Sequence, residues 1–285
     1  MSSVAVIVQY ALREALRRKV FAVVVILTAI FLVLFWLATH FVHGQLADIT
    51  PPSDVHVDTR TFAGAFLLGL SMFATLFLGV VLAVFLTLGV VTGDAERGLL
   101  QPLVARPIGR SVLLVSRFLA AAAVCAAYVL AVYFTAVVIV GLTLHWWPAA
   151  IVGPGVELAL GVMVVISLSL LGSCWLSSTA NGIAVFMLFG AGLVAGLLGT
   201  IGHALNSHQI RHASTIVSWA LPFEGLYQDA LRLISRDTSG ATSFLLQLGP
   251  FGGGYVHGWE IRLWSVAYLV LIGAAALAAF ARRDL

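Results

Sequence analysis

Six long apolar stretches divide this chain, and nearly all its polar residues lie between them. The stretches run near Val20–Thr39, Phe62–Val91, Phe118–Leu144, Val156–Leu176, Ile183–Gly202 and Leu263–Ala281. About 20 apolar residues in helical geometry cross a bilayer. The pattern therefore predicts an all-α membrane protein with six transmembrane helices in one domain spanning 1–285. Within those limits Glu157, at the mouth of the fourth span, is the only ionisable residue.

Ahead of the first span, Val4, Ile7, Val8, Ala11, Leu12 and Ala15 recur at helical spacing, with Gln9, Arg13, Glu14, Arg17 and Arg18 on the other face. This predicts an N-terminal amphipathic helix over 1–19 lying in the headgroup layer. The charges follow the first apolar run and no small-residue cleavage site closes the next, which is not the layout of a signal peptide.

Spans two and three are long. The 30 residues of 62–91 rise about 45 Å as a helix, against a hydrocarbon core of about 30 Å. Both are expected to project beyond the headgroups and to carry the polar insert at 93–110 with them. In that insert Asp94 is a plausible N-cap for a short helix from Ala95, and Pro107 discourages helix at Arg106. Leu99, Leu100, Leu103 and Val104 give the helix an apolar side; Glu96, Arg97 and Arg106 give it a charged one. Pro102 sits awkwardly in its middle.

Residues 203–262 form the largest region outside the spans. The run from Trp219 to Arg232 predicts two short helices broken at Pro222, lying on or dipping into the outer leaflet as re-entrant pieces. In span five, Gly192 and Gly196 form a GxxxG that permits close helix approach, within the subunit or at an interface. Trp146 and Trp147, after span three, predict an interfacial anchor.

Composition agrees with this picture. Of 285 residues, 61% are hydrophobic and 9% charged, against about 25% charged in a soluble domain. Mean hydropathy is +1.07. Ten of the 15 basic residues fall on one side when the N-terminus is placed inside. The positive-inside rule thus predicts cytoplasmic N- and C-termini and a cytoplasmic 93–110 loop, in a plasma (inner) membrane. A formal charge of +3 spread along membrane borders gives no nucleic-acid patch. Cys125 and Cys174 lie in apolar stretches, as small buried hydrophobes do.

Candidate chemistry is sparse. Lys19 is the sole lysine and follows no glycine-rich loop, so the chain carries no P-loop. If ATP drives it, ATP and Mg are bound by another polypeptide, and no cofactor is expected here. Spans with only Ser, Thr, Tyr and Cys as polar groups argue against proton coupling. No GxSxG or HExxH is present, so no enzyme activity is expected. All eight histidines fall on the predicted outer side. His208 and His212, at i and i+4, are the one pair with metal-ligand spacing; a non-transporting scaffold or assembly factor with outer metal-binding histidines is the alternative reading.

Taken together, the amphipathic N-terminal helix, the six spans, the Gly-x-x-Glu-Arg-Gly-type loop, Arg106-Pro107-Ile108-Gly109-Arg110 and Leu221-Pro222-Phe223 before span six resemble the type-2 ABC transporter permeases. The likeness runs nearly end to end and is strongest to the subgroup associated with multi-copper enzyme maturation and drug or lipid export. It implies a permease subunit of an ATP-driven exporter, paired with a second permease subunit and docked on a separate ABC ATPase. The 93–110 loop would be the cytoplasmic coupling helix. Gly93, Glu96, Arg97, Gly98, Leu103, Arg106, Pro107 and Arg110 match the family's loop pattern, with Asp94 between them; Pro102 departs from it.

Overall fold

The computed structural model describes residues 19–46, 58–88, 110–236 and 258–281. The N-terminal amphipathic segment, the 93–109 part of the polar insert and the glycine-rich break at 249–254 lie outside the described residues. The described residues are helical, with no strand among them. Six helices are long and apolar enough to cross a membrane: α1 (Lys19–Leu46), α2 (Thr59–Thr87), α3 (Arg110–Leu144), α4 (Val152–Gly172), α5 (Ser178–Ala204) and α8 (Gly258–Ala281). Between α5 and α8 stand two shorter helices, α6 (His208–Ala220) and α7 (Pro222–Ile234).

Local chemistry explains the boundaries. Asp58 caps α2: its Oδ1 accepts from the backbone N–H groups of Arg60 and Thr61 at 3.1 and 3.2 Å, and its Oδ2 from the Thr61 hydroxyl at 2.6 Å. The cap starts α2 at Thr59, three residues ahead of the apolar run. The Thr61 hydroxyl, assisted by the two backbone donors, holds the Asp58 carboxyl below its ordinary pKa. Helix α3 starts at Arg110 rather than at Phe118. Val112, Leu113, Leu114 and Val115 continue the apolar pattern, and a long arginine can carry its head to the interface. The break between α6 and α7 falls at Leu221, and Pro222 occupies the first turn of α7, where its missing N–H costs nothing.

Helix α4 is the hub. It packs against α2, α3, α5, α7 and α8, and Leu158, Val162, Val164 and Ile166 are fully buried. By contrast α1 and α8 sit at the periphery, with Val23, Ile26, Leu34, Val266 and Val270 exposed, as the lipid-facing side of a bundle should be. Hydroxyls inside the helices mostly bond their own backbone, as Thr75 does to the Ser71 carbonyl at 2.8 Å. Tyr128 of α3 and Thr28 of α1 share a hydrogen bond of 2.5 Å across the helices.

Helix α7 departs most from its expectation. It does not lie at the surface: Pro222 to Leu231 are buried without interruption. The glycines of α5 make its seat. A Cβ on Gly192 would strike the Phe223 ring, and one on Gly196 would strike the Glu224 carboxyl and Gln228 Nε2. The GxxxG is thus spent inside the subunit, on a helix shorter than a span. Phe223 also stacks on Phe189 of α5, ring centroids 5.4 Å apart. Gly192→Leu should therefore displace α7 and cost about 1–3 kcal/mol, read as a lower unfolding midpoint in detergent, whereas Gly190→Leu, where a Cβ meets nothing within 4 Å, should leave the midpoint unchanged.

Candidate functional site

Two polar constellations stand out in a bundle this apolar. The first is buried at the end of the bundle opposite the 89–109 insert, where α7 meets α4 and α8. Glu157 of α4 and Asp229 of α7 are 3% and 0% exposed. Arg262 of α8 bridges them: its Nη2 donates to Asp229 Oδ2 at 2.7 Å, and its Nε lies 2.6 Å from Glu157 Oε1. Arg232, one turn on from Asp229, donates to Asp229 Oδ1 at 2.6 Å. The charges balance, two carboxylates against two guanidiniums. The Arg262–Glu157 approach is off-axis, so neither Glu157 oxygen completes a hydrogen bond; the contact is ionic. Both arginines keep part of their surface exposed, 43% for the Arg262 side chain, which lets charged groups sit at a membrane border.

A second carboxylate group lies one turn back on α7. Glu224 is 2% exposed, with the Gln228 amide beside it and Gly196 against it. Glu224 Oε1, Gln228 Oε1 and the Tyr227 hydroxyl are buried without hydrogen-bond partners among the described residues. Desolvation pushes the Glu224 carboxyl up to about 7, against a smaller opposing effect of Gln228. The spacing of apolar runs gave no sign of these groups. Glu157 and Asp229 come together, and Glu224 is buried against α5, only because α7, too short and too polar to span, is packed inside the bundle. The expected Ser, Thr, Tyr and Cys are those of the spans; α7 adds carboxylates of its own to the bundle interior.

The second constellation is at the opposite end. Thr87, the last residue of α2, shares a hydrogen bond of 2.7 Å with Ser169 of α4. Asn181, in the first turn of α5, donates from Nδ2 to the Ser169 carbonyl at 2.9 Å. Three helices are knotted where the chain leaves α2 for the polar insert. Of the coupling candidates, Gly93, Asp94, Glu96, Arg97, Gly98, Leu103, Arg106 and Pro107 lie outside the described residues. Arg110 opens α3, which packs along α2. Residues 89–109 therefore depart and return between two adjoining helix ends.

His208 and His212 stand one turn apart on α6 with rings 6.3 Å apart. Among the described residues no group of three His, Cys, Asp or Glu side chains could hold a metal ion. Trp146 packs on Gly64 of α2, and Trp147 remains half exposed.

Comparison with known families decides the class. Residues 5–285 match the family described as ABC-2 family transporter protein. The chain belongs to that family. No individually curated protein matches it. As an ABC-2 family transporter protein it is a membrane protein, consistent with a permease.

Two outcomes follow. Arg262→Met leaves Glu157 without its guanidinium and Asp229 with Arg232 alone; removing one partner of a buried pair costs about 3–5 kcal/mol, and the half-exposed guanidinium places this case near the lower end. The unfolding midpoint in detergent should fall sharply, and Glu157→Gln with Arg262→Met should recover part of the loss. For Glu224 the sign runs the other way from a salt-bridged acid. Its folded-state pKa of about 7 lies above the ordinary 4.5, so the folded protein retains the proton longer than the unfolded chain. Its contribution is complete below about pH 4.5 and is lost as pH rises to about 7. Glu224→Gln should flatten stability over that window, measured by thermal unfolding at stepped pH.

Proposed function

We propose that this chain is the permease subunit of an ATP-driven exporter in the plasma membrane. Two permease subunits form the translocation pathway, and a separate ABC ATPase docks on the 93–110 loop. Both termini face the cytoplasm in this reading. The observation that carries it is the junction of Thr87, Ser169 and Asn181 directly at the root of the loop. A push on the insert reaches α2 and α3 first. Through the Ser169 bonds it also reaches α4 and α5, and α4 in turn bears on α7 and α8.

Membership of the ABC-2 family supports the reading, as does the lack of any P-loop lysine in the chain. Glu96 and Arg97 supply the charged side by which the loop engages the ATPase; Leu103, Arg106, Pro107 and Arg110 shape its return to α3. In the same reading α6 and α7 are the re-entrant outer pieces, and the Glu157–Arg262–Asp229 cluster holds the outer end closed. Cargo crosses when ATP binding, through the loop, separates α5 and α2 from their partners.

The test is co-purification with the cognate ATPase. Glu96→Ala with Arg97→Ala should cut ATPase association by about tenfold or more, the effect of losing about 1.4 kcal/mol, without lowering the unfolding midpoint of the permease alone. Wild-type association and transport in that variant would refute the assignment of the loop. Ser169→Ala with Asn181→Leu should instead preserve association and reduce transport per ATP hydrolysed.

A further inference from the structure

At the same end as the Thr87–Ser169–Asn181 junction, the bundle has a recess on its lipid-facing flank. Leu114 and Phe118 of α3, Ser167 and Leu170 of α4, and Gly273 and Leu277 of α8 line a cavity of about 80 Å³. These residues belong to the first turns of α3 and the last turns of α4 and α8, so the recess is at the end from which 89–109 departs. The lining is carbon except for Ser167, whose hydroxyl is taken by the Val164 carbonyl at 2.7 Å. Gly273 keeps it open: a Cβ there would meet nothing within 4 Å. Val115, 38% exposed, stands at its rim.

An apolar void of this kind excludes water and accepts hydrocarbon. Helix α8, which forms one wall, turns Leu263, Val266, Val270 and Leu271 outward, so the surrounding solvent is acyl chain. Charge selects among lipids. At this end of the bundle the described charged side chains are Lys19 and Arg117. Both are basic, and no described carboxylate lies at this end. Arg117 adjoins Phe118 in the chain and is half-buried, at the depth where a long basic side chain reaches back to the headgroups. We infer that the recess is a binding site for one acyl chain of an anionic phospholipid from the leaflet on the 89–109 side, with Arg117 at its phosphate. The lipid fills the gap between α8 and the α3–α4 pair. The site depends on the protein being membrane-embedded and not on the ATPase assignment.

The intact chain, extracted in mild detergent, provides the test. Co-purified phosphatidylglycerol is quantified by mass spectrometry, and the unfolding midpoint is followed as phosphatidylglycerol or phosphatidylcholine is added back. Wild type should retain phosphatidylglycerol and be stabilised by it over phosphatidylcholine. Gly273→Leu fills the recess and should retain about tenfold less, the equivalent of 1.4 kcal/mol. Its midpoint in lipid-free detergent should be no lower than wild type, because a void is filled rather than made. Leu277→Phe fills it from one turn further along α8 and should act alike. Arg117→Gln should keep lipid but lose about fivefold of the preference for the anionic headgroup, the share one basic residue contributes at an anionic surface. Wild-type retention in both filling variants would overturn the site, as would equal stabilisation by the two lipids. An efficient disulfide between two copies through Gly273→Cys would also overturn it, by placing a second copy in the recess. ATPase co-purification, scored on the same samples, separates failure of this site from failure of the coupling-loop reading.

Discussion

Arg262 is the constraint on which the half of this molecule remote from the 89–109 insert depends. One guanidinium, anchored on a peripheral helix, neutralises a carboxylate on the central helix and another on the buried short helix. Two uncompensated negative charges in an apolar bundle would cost more than the packing around them returns. Helix α7 can lie between α4, α5 and α8 only because that charge is met, helped by Arg232. The apolar contacts follow: Phe223 against Gly192, Gly225 against Ile261 and Leu226 into the core. The ionic cluster decides where α7 sits, and the hydrophobic surface then holds it there.

The end beside the insert is tied by a gentler device. Thr87, Ser169 and Asn181 are neutral and exchange ordinary hydrogen bonds, each with a net value of about 0.5–1.5 kcal/mol. Such bonds can be remade at low cost, while an ion pair drawn from water cannot. The bundle is thus more firmly fastened at the Arg262 end than beside the insert at 89–109, and motion introduced at the insert meets the softer joint first.

How much of this was legible in the sequence depends on the range of each interaction. The six apolar helices are a local property: composition within about 20 residues determines them, and the matching helices appear in the structure. The break at Pro222 is also local, because one ring removes one N–H. The polar clusters are not. Arg262 meets Asp229 across 33 positions, and no periodicity in either segment announces the other. Helix α7 misled for a related reason. A polar face is normally a wet face, yet in α7 both faces are buried, since its acidic groups find arginine and glutamine rather than water. The GxxxG of α5 signalled close approach correctly while leaving the partner open. Its partner turned out to be a short helix carrying a carboxylate, which no spacing rule names. At the start of α3 the apolar run and the helix part company: the uncharged run opens at Phe118 but the helix at Arg110, because long basic side chains can end an apolar run without ending the helix.

Helix α3 has 35 residues without a proline, which makes it a stiff rod of about 52 Å. It runs from the edge of the polar insert to His145, whose positive φ of 54° turns the chain back at the far side. Rotating such a rod by about 5° about one end carries the other by about 4.5 Å, close to one helical turn. The bilayer's thickness thereby becomes mechanical advantage: a tilt too small to disturb side-chain packing near its pivot is, at the opposite surface, a displacement the width of a side chain.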